Sequence, residues 1–378
     1  MKILHIGKYY PPFHGGMEVY LRDLAEQQAK SHDVTVLVHN HQFSKLFSGK
    51  TEEVINSVKV IRNKTIKPIL FAPIMLGMKG TVENIIEQHQ IDVIHISWPN
   101  PSALFLLLSR KAKSIPWVIQ WQSDMVTAKS SILLKLAYFF FKSLEKMLLK
   151  QSSKVIASTQ EYFNYSSALK KFPEKCVFIP LGVKLNPQEF KQAHLNWTNT
   201  LWANASYKIY HIGRLTFYKN QKLLLEAAKL LPEAKFIITG SGQLEKELQK
   251  IIKENNLSNV ELTGNLSNQR LNALLKTCDV FCLPSNDRAE SYGMVLLEAL
   301  AMNKRILVSD LPGSGMKWIA SQTELGETFD CNDTNDLAEK IKGSSVNIEL
   351  DRDKFNKTFS IESCAEKIDE VYMELFKN

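Results

Sequence analysis

Two carboxylates, Glu290 and Glu298, stand eight residues apart in the segment PSNDRAESYGMVLLEALA, residues 284–301. Glu290 falls in a loop before a helix and Glu298 inside that helix. Ser291, Tyr292, Gly293 and Met294 bring backbone N–H groups to the helix start, where unpaired amides and the helix dipole attract phosphate. Such a segment can hold a phosphate with its amides, a sugar hydroxyl with Glu290 and a ribose with Glu298. A lone carboxylate within VLLEALA needs a partner or a ligand; a helix cap at Glu290 and an ion pair at Glu298 are the structural alternative. Upstream, GRLTFYK places Arg214 and Lys219 after a strand. Arg supplies a planar fork and Lys a point charge, and together they can converge on a diphosphate; exposed surface charge is the other reading. Gly240-Ser241-Gly242 suits a tight turn beneath a nucleotide or sugar, or a plain turn. Near the start, His14-Gly15-Gly16-Met17-Glu18 allows backbone amides to approach a ligand closely. Neither G-x-G-x-x-G nor G-x-x-x-x-G-K-[ST] occurs at these turns, which disfavours a dinucleotide dehydrogenase and a P-loop ATPase.

These residues need a frame of strand-to-helix turns. In the first half, short apolar strands at 3–7, 33–39, 58–61, 91–96, 117–120, 155–157 and 176–179 alternate with helical stretches. A second cycle begins with KIYHI, residues 208–212, ending at Gly213 just as the first strand ends at Gly7. Strands at 235–239, 260–263, 280–283 and 305–309 alternate with helices at 221–230, 244–254, 269–277 and 293–301. Apolar strands separated by helices indicate βα units and a parallel sheet. A chain of 378 residues fits two domains. The polar, weakly periodic stretch 181–206, with Pro187, is the expected linker. Ligands of open α/β sheets bind outside the carboxyl ends of the strands, so a cleft between two such sheets is the expected site.

The net charge is +8, and the excess of Lys and Arg lies in residues 1–182. One-sided charge of this kind points to an anionic surface or ligand. Within it, Lys129–Lys154 reads KSSILLKLAYFFFKSLEKMLLKQSSK, with Lys135, Lys142, Lys146 and Lys150 at helical spacing beside Ile132, Leu133, Leu136, Phe139, Phe140 and Leu148. It reads either as an interfacial helix on anionic headgroups or as a core helix with a solvated lysine edge. No nucleic-acid-binding pattern accompanies the charge, so nucleic acid is not the expected partner. Cys176, Cys278, Cys282, Cys331 and Cys364 cannot all pair and lack zinc-site companions, which predicts free thiols and a reducing compartment. The opening MKILHIGKYYPP lacks the pattern of a signal peptide, and no twenty-residue apolar run occurs; a cytoplasmic protein is expected.

The turns GGME, IGRLTFYKN, ESYGMVLLE and SDLPGSG together resemble the family 4 glycosyltransferases of the GT-B fold, over nearly the full length. The resemblance implies an α/β protein of two Rossmann-like, doubly wound domains with a cleft between them. Residues 1–182 would bind acceptor, 183–360 would bind the nucleotide sugar, and the helix 361–378 would cross back to the first domain. It implies retaining, metal-independent transfer of a sugar from a nucleotide-diphosphate donor, with no cofactor. In such a mechanism the leaving phosphate is stabilised by cations and takes the acceptor proton. Arg214 and Lys219 would hold the diphosphate, Glu290 the sugar hydroxyls and Glu298 the ribose. The amides of Gly15, Gly16 and Tyr292–Val295 would surround the phosphates and sugar, Gly240 would lie under the donor, and Leu266 near the base. Asp351-Arg352-Asp353 falls outside the expected cleft.

One departure stands out. Many relatives making surface polysaccharide carry His-Ser-Asp after the strand written here WVIQW, whereas this chain has Gln122-Ser123-Asp124. Gln122 then stands where the histidine would contact the transferred sugar; glutamine donates and accepts hydrogen bonds but takes no proton near neutral pH. Ser97 likewise replaces a second histidine, and His95 remains. The chain also resembles enzymes of O-antigen and lipopolysaccharide synthesis, which implies a hexose, mannose or a relative from a GDP-sugar, and a polyprenyl-diphosphate-linked glycan acceptor. An anionic membrane surface, on the inner face of the plasma membrane, would be a further partner. Alternatives are a UDP-hexose donor, a soluble acceptor, and a non-catalytic GT-B-like scaffold.

Overall fold

The structure, a computed structural model, describes residues 1–13, 15–44, 47–69, 72–125, 132–184, 191–343 and 349–377. His14, Lys129 and Pro187, singled out above, lie outside them, as does the side chain of Leu133. The chain forms two compact units, Met1–Lys184 with Asn356–Asn378, and Leu185–Phe355.

The sheet of the first unit runs in the order Cys176–Phe178, Lys154–Ala157, Trp117–Trp121, Val93–Trp98, Lys2–Ile6, Asp33–His39, Val58–Asn63 and Thr51–Ile55. All neighbours pair in parallel except the last two. The inner strands are apolar because both faces are covered, the usual state of a parallel sheet, whereas the edge strand Thr51–Ile55 is mostly exposed. One face packs Leu4, Ile6, Ile94, Ile96, Trp98, Trp117, Ile119 and Trp121 into a single core, where the Trp98 and Trp121 rings stack with centroids 5.5 Å apart. The opposite face carries polar residues, among them His5, His95, Ser97, Gln120 and Gln122, and every one is buried.

The terminal helix Ile361–Glu374 and the first helix Gly16–Gln28 pack together and satisfy part of that polar set. Tyr372 OH lies 2.5 Å from His95 Nδ1. Gln28 Oε1 lies 2.8 Å from His5 Nε2, and Gln28 Nε2 donates to Asp369. The chain returns by pairing with Val183, whose N–H donates to Phe359 O and whose carbonyl accepts from Ile361 N. The second crossing between units therefore comes at 355/356, ahead of residue 360.

The sheet of the second unit runs Val260–Gly264, Ala234–Thr239, Tyr207–Ile212, Val280–Leu283, Arg305–Ser309, Gly326–Phe329, all parallel. In chain order this is 3-2-1-4-5-6, the Rossmann order, with its switch point between Tyr207–Ile212 and Val280–Leu283.

Two local expectations are corrected. The strand expected to stop at Ile96 continues through Trp98, because Trp98 pairs in register with Trp121. The stretch 181–206, expected to be linker, contains the helix Gln192–Trp202. Trp202 is buried and donates from Nε1 to Thr277 Oγ1 at 2.8 Å, and Arg270 lies over the Trp197 ring. Its sequence is too polar to show a helical stripe, and contact with the helix Asn268–Thr277 supplies the missing stabilisation.

The lysine-rich segment forms a helix, Ile132–Gln151. Among its described side chains Glu145, Leu148 and Leu149 are buried, while Ile132, Leu136, Phe139, Phe140, Leu144 and Met147 are exposed. The Asp351-Arg352-Asp353 triplet is exposed at the start of the helix Arg352–Phe359. All five cysteines are free. Among the described residues no helix is long and apolar enough to cross a membrane.

Candidate active site

In the second unit, the loops after both switch-point strands carry the expected residues. Tyr207–Ile212 leads into Gly213–Lys219, and Val280–Leu283 leads into Pro284–Gly293. Asn286 N–H donates to Tyr218 O at 2.9 Å, tying the two loops together. Lys219, on the short turn Phe217–Lys219, is 8% exposed, and its Nζ pairs with the Glu290 carboxylate. Arg214 is exposed and donates from Nη2 to Tyr218 OH at 3.0 Å.

Beneath these cations lies a polar support that the sequence did not signal. His211 is fully buried; its Nδ1 meets Cys282 O at 2.9 Å and its Nε2 meets Gln221 Nε2 at 3.2 Å. With the backbone oxygen fixing the proton on Nδ1, Nε2 accepts from the Gln221 amide. Gln221 Nε2 also donates to Arg214 O at 2.9 Å, so one amide holds the Arg214 turn. Burial, aided by the Lys219 charge, pulls the His211 imidazole down to about 3, and it stays neutral next to that cation.

The adjoining turn demands glycine. Gly240 has φ +139°, and a Cβ there would lie 2.0 Å from Gly213 O. The backbones of the two turns touch, with Leu215 N–H donating to Ser241 O. Leu266 sits half-buried after Val260–Gly264.

Glu290 is anchored through its backbone: its N–H donates to Asp287 O, and Ser314 Oγ donates to its carbonyl at 2.7 Å. Ser291 O accepts from Gly315 N at 2.7 Å, and Arg288 Nε donates to Gly313 O. The Pro312–Gly315 loop thus braces the segment Arg288–Tyr292. Gly293, at φ +89°, forms the N-cap of the helix Met294–Ala301 without a side chain to cover the first-turn amides of Met294 and Val295. Tyr292 is buried, and Glu298 lies half-buried on the same helix. This set places cation, carboxylate and helix amides at the switch point, the chemistry a sugar diphosphate requires. Among the described residues no three His, Cys, Asp or Glu side chains gather as metal ligands.

Two family profiles match the chain, Glycosyltransferase Family 4 over residues 14–186 and Glycosyl transferases group 1 over residues 199–356. The chain is a GT-B glycosyltransferase related to family 4. It is similar to the O-antigen chain mannosyltransferase C of Escherichia coli, 29% identical over 90% of this chain and 88% of that one. It is also similar to GDP-mannose:cellobiosyl-diphosphopolyprenol alpha-mannosyltransferase of Xanthomonas campestris, 24% identical over 82% and 79% of the two chains. Among solved structures, sucrose-phosphate synthase from Thermosynechococcus elongatus superposes with a TM-score of 0.77 at 18% identity, covering 99% of each chain. That likeness is one of fold.

In the first unit of the glycosyltransferase, Gln122 follows Trp117–Trp121 and is 4% exposed. Its N–H donates to Trp98 O, yet its side-chain Oε1 and Nε2 are buried and meet no partner among the described residues. Asp124 of the triplet is tied into the fold: its Oδ1 accepts from Trp121 Nε1 at 3.1 Å and from Ser166 Oγ at 2.7 Å. Gly15 is the N-cap of the first helix, and Gly16 its first residue. A Cβ on Gly15 would lie 2.2 Å from Glu18 Oε2, so the Glu18 carboxylate already rests against this helix start. Its charge, after burial, raises the neighbouring Tyr9 hydroxyl to about 12. His95 is buried against Tyr372 of the terminal helix, where burial and then the charge of His5 hold its imidazole well below the usual range.

Proposed function

We propose that the enzyme transfers a hexose, mannose or a close relative, from a GDP-sugar to a polyprenyl-diphosphate-linked glycan during surface polysaccharide synthesis, with retention at the anomeric carbon. The observation that carries the reading is the Lys219–Glu290 pair at the switch point of the second unit. On donor binding, Lys219 and Arg214 would turn to the diphosphate, Glu290 to sugar hydroxyls and Glu298 to the ribose, with the Met294 and Val295 amides facing the phosphate. The sugar C1–O bond to phosphate breaks and a C1–O bond to the acceptor forms. The departing phosphate oxygen, its charge held by the cations, takes the acceptor hydroxyl proton, so the residues named need supply no base.

Mannose is favoured by the names of the two relatives above, and one of those names also carries a diphosphopolyprenol acceptor. A lipid-linked acceptor fits work at the inner face of the plasma membrane, where the lysine edge of Ile132–Gln151 would meet anionic lipid. Gln122, whose buried side-chain amide has no partner among the described residues, is suited to hydrogen-bond the transferred sugar. The test is a donor screen in metal-chelating buffer, reading thermal protection and then the linkage of the product. GDP-mannose or a GDP-deoxyhexose should protect and be consumed. Protection by UDP-hexoses alone would overturn the donor assignment.

A further inference from the structure

Arg214 and Lys219 belong to one turn of the second unit and carry like charges. Like charges repel, yet a diphosphate needs both cations within reach at once. Lys219 is buried and paired with Glu290, so its place is fixed. Arg214 is exposed, and among the described residues its guanidinium meets one partner, the Tyr218 hydroxyl. An exposed arginine is rich in rotamers, and stilling it when a ligand arrives costs affinity.

Tyr218 touches both cations. Its hydroxyl oxygen accepts from Arg214 Nη2 at 3.0 Å, and Lys219 Nζ stands over its ring, 5.8 Å from the centroid. A lone pair for one and a π face for the other are the attractions a neutral phenol offers a cation. The phenol is itself held in place. It is half-buried, the Phe217 ring meets it edge-on with centroids 5.7 Å apart, and the Tyr218 carbonyl accepts from Asn286 N–H at 2.9 Å. Gln221 holds the carbonyl of Arg214, so the backbone and the guanidinium of Arg214 are secured by separate bonds. One guanidinium N–H is taken by the phenol, and the rest of the fork remains for phosphate oxygens.

We propose that Tyr218 is the positioning residue of the donor site: its hydroxyl holds the Arg214 guanidinium and its ring borders the Lys219 ammonium, setting both cations for one diphosphate before it binds. The proposal rests on the donor reading of Arg214 and Lys219 given above. Packing would need only the Tyr218 ring, whereas positioning needs its oxygen, and the two can be separated by experiment.

Wild type, Tyr218→Phe, Arg214→Met and the double variant are titrated calorimetrically with GDP and, in parallel, with UDP. The diphosphate that wild type binds more tightly should bind Arg214→Met at least about tenfold more weakly. It should bind Tyr218→Phe about three- to tenfold more weakly, at unchanged melting temperature. In the Arg214→Met background the Tyr218→Phe change should cost less than about twofold, because the oxygen then has no guanidinium to hold. Tyr218→Leu, which also takes the ring from Lys219, should lose about two- to fivefold beyond Tyr218→Phe. Wild-type affinity in Tyr218→Phe, beside a weakened Arg214→Met, would overturn the positioning role and leave the donor reading standing. Tighter binding by Tyr218→Phe would make the phenol a competitor for Arg214 and overturn the role as well. Equal losses from Tyr218→Phe in both backgrounds would reduce the residue to packing and overturn it. Wild-type affinity in Arg214→Met would refute the donor reading of Arg214, and the proposal with it.

Discussion

Replacing Lys219 by Met removes one half of an ion pair whose side chains are only 10% and 13% exposed. Glu290 would then be left close to buried and unpaired. Breaking a buried pair from one side costs about 3–5 kcal/mol, and partial access of water to both groups argues for the lower end, about 3 kcal/mol. For a unit of this size, each kcal/mol shifts the melting temperature by about 2–4 °C, so the variant should melt roughly 6–12 °C lower. The donor should bind roughly 10- to 150-fold more weakly, the equivalent of one lost charge-assisted bond of about 1.5–3 kcal/mol. The decisive partner is the double variant Lys219→Met with Glu290→Gln. It removes the stranded charge and should regain much of the melting temperature, yet it should not regain donor affinity or transfer. Calorimetry of unfolding, with and without nucleoside diphosphate, reads both quantities. A single variant that melts with the wild type and keeps its nucleotide affinity would refute the assignment of Lys219 to the diphosphate.

Other outcomes follow from the same geometry. Gly240→Ala should cost about 2–3 kcal/mol and abolish donor protection, because its Cβ would meet Gly213 O. Gly264→Ala, at φ +66° with nothing within 4 Å, should cost only about 1 kcal/mol; equal melting of the two would refute the close approach. Gln122→Ala should slow transfer at least about tenfold with a modest change in melting, since its side-chain amide makes no bond among the described residues; undiminished transfer would remove it from the site. His5 and His39 are both pulled down to about 4 by burial, from an ordinary 6.5. A lowered folded-state value means their contribution is complete above about 6.5 and is lost as pH falls toward 4. Between pH 7 and 5 the first unit should lose about 2 kcal/mol per histidine, read as a fall in urea midpoint; an unchanged midpoint would show that the imidazoles are not buried neutral.

The strand-then-glycine rhythm was legible because parallel strands are apolar throughout and their turns leave room for little but glycine, as at Gly240. The loop-to-helix turn at Glu290–Met294 was legible because polar residues and a glycine precede an apolar helical run; the pairing of Glu290 with Lys219 was not, since each comes from a different turn. The antiparallel strands between Phe43 and Met75 were not. They are short, with Thr51–Ile55 mostly exposed, so no apolar alternation marks them. His211 and Gln221 were invisible for another reason. Each is an ordinary residue in its own element, and their meaning lies in the contact between a strand and a helix start ten residues on. Glu145 stands among lysines in the sequence; that it turns inward follows from the side on which Leu148 and Leu149 pack.

The return of Asn356–Asn378 to the first unit has a consequence for how the polypeptide is made. Residues that complete the first unit are synthesised after the whole of the second, so the second unit can close while the first is still waiting. Until then Gln28 lacks Asp369 and His95 lacks Tyr372. A premature stop shortly before residue 360 would leave the sheet of the second unit intact and strike the unit whose strands were made earlier.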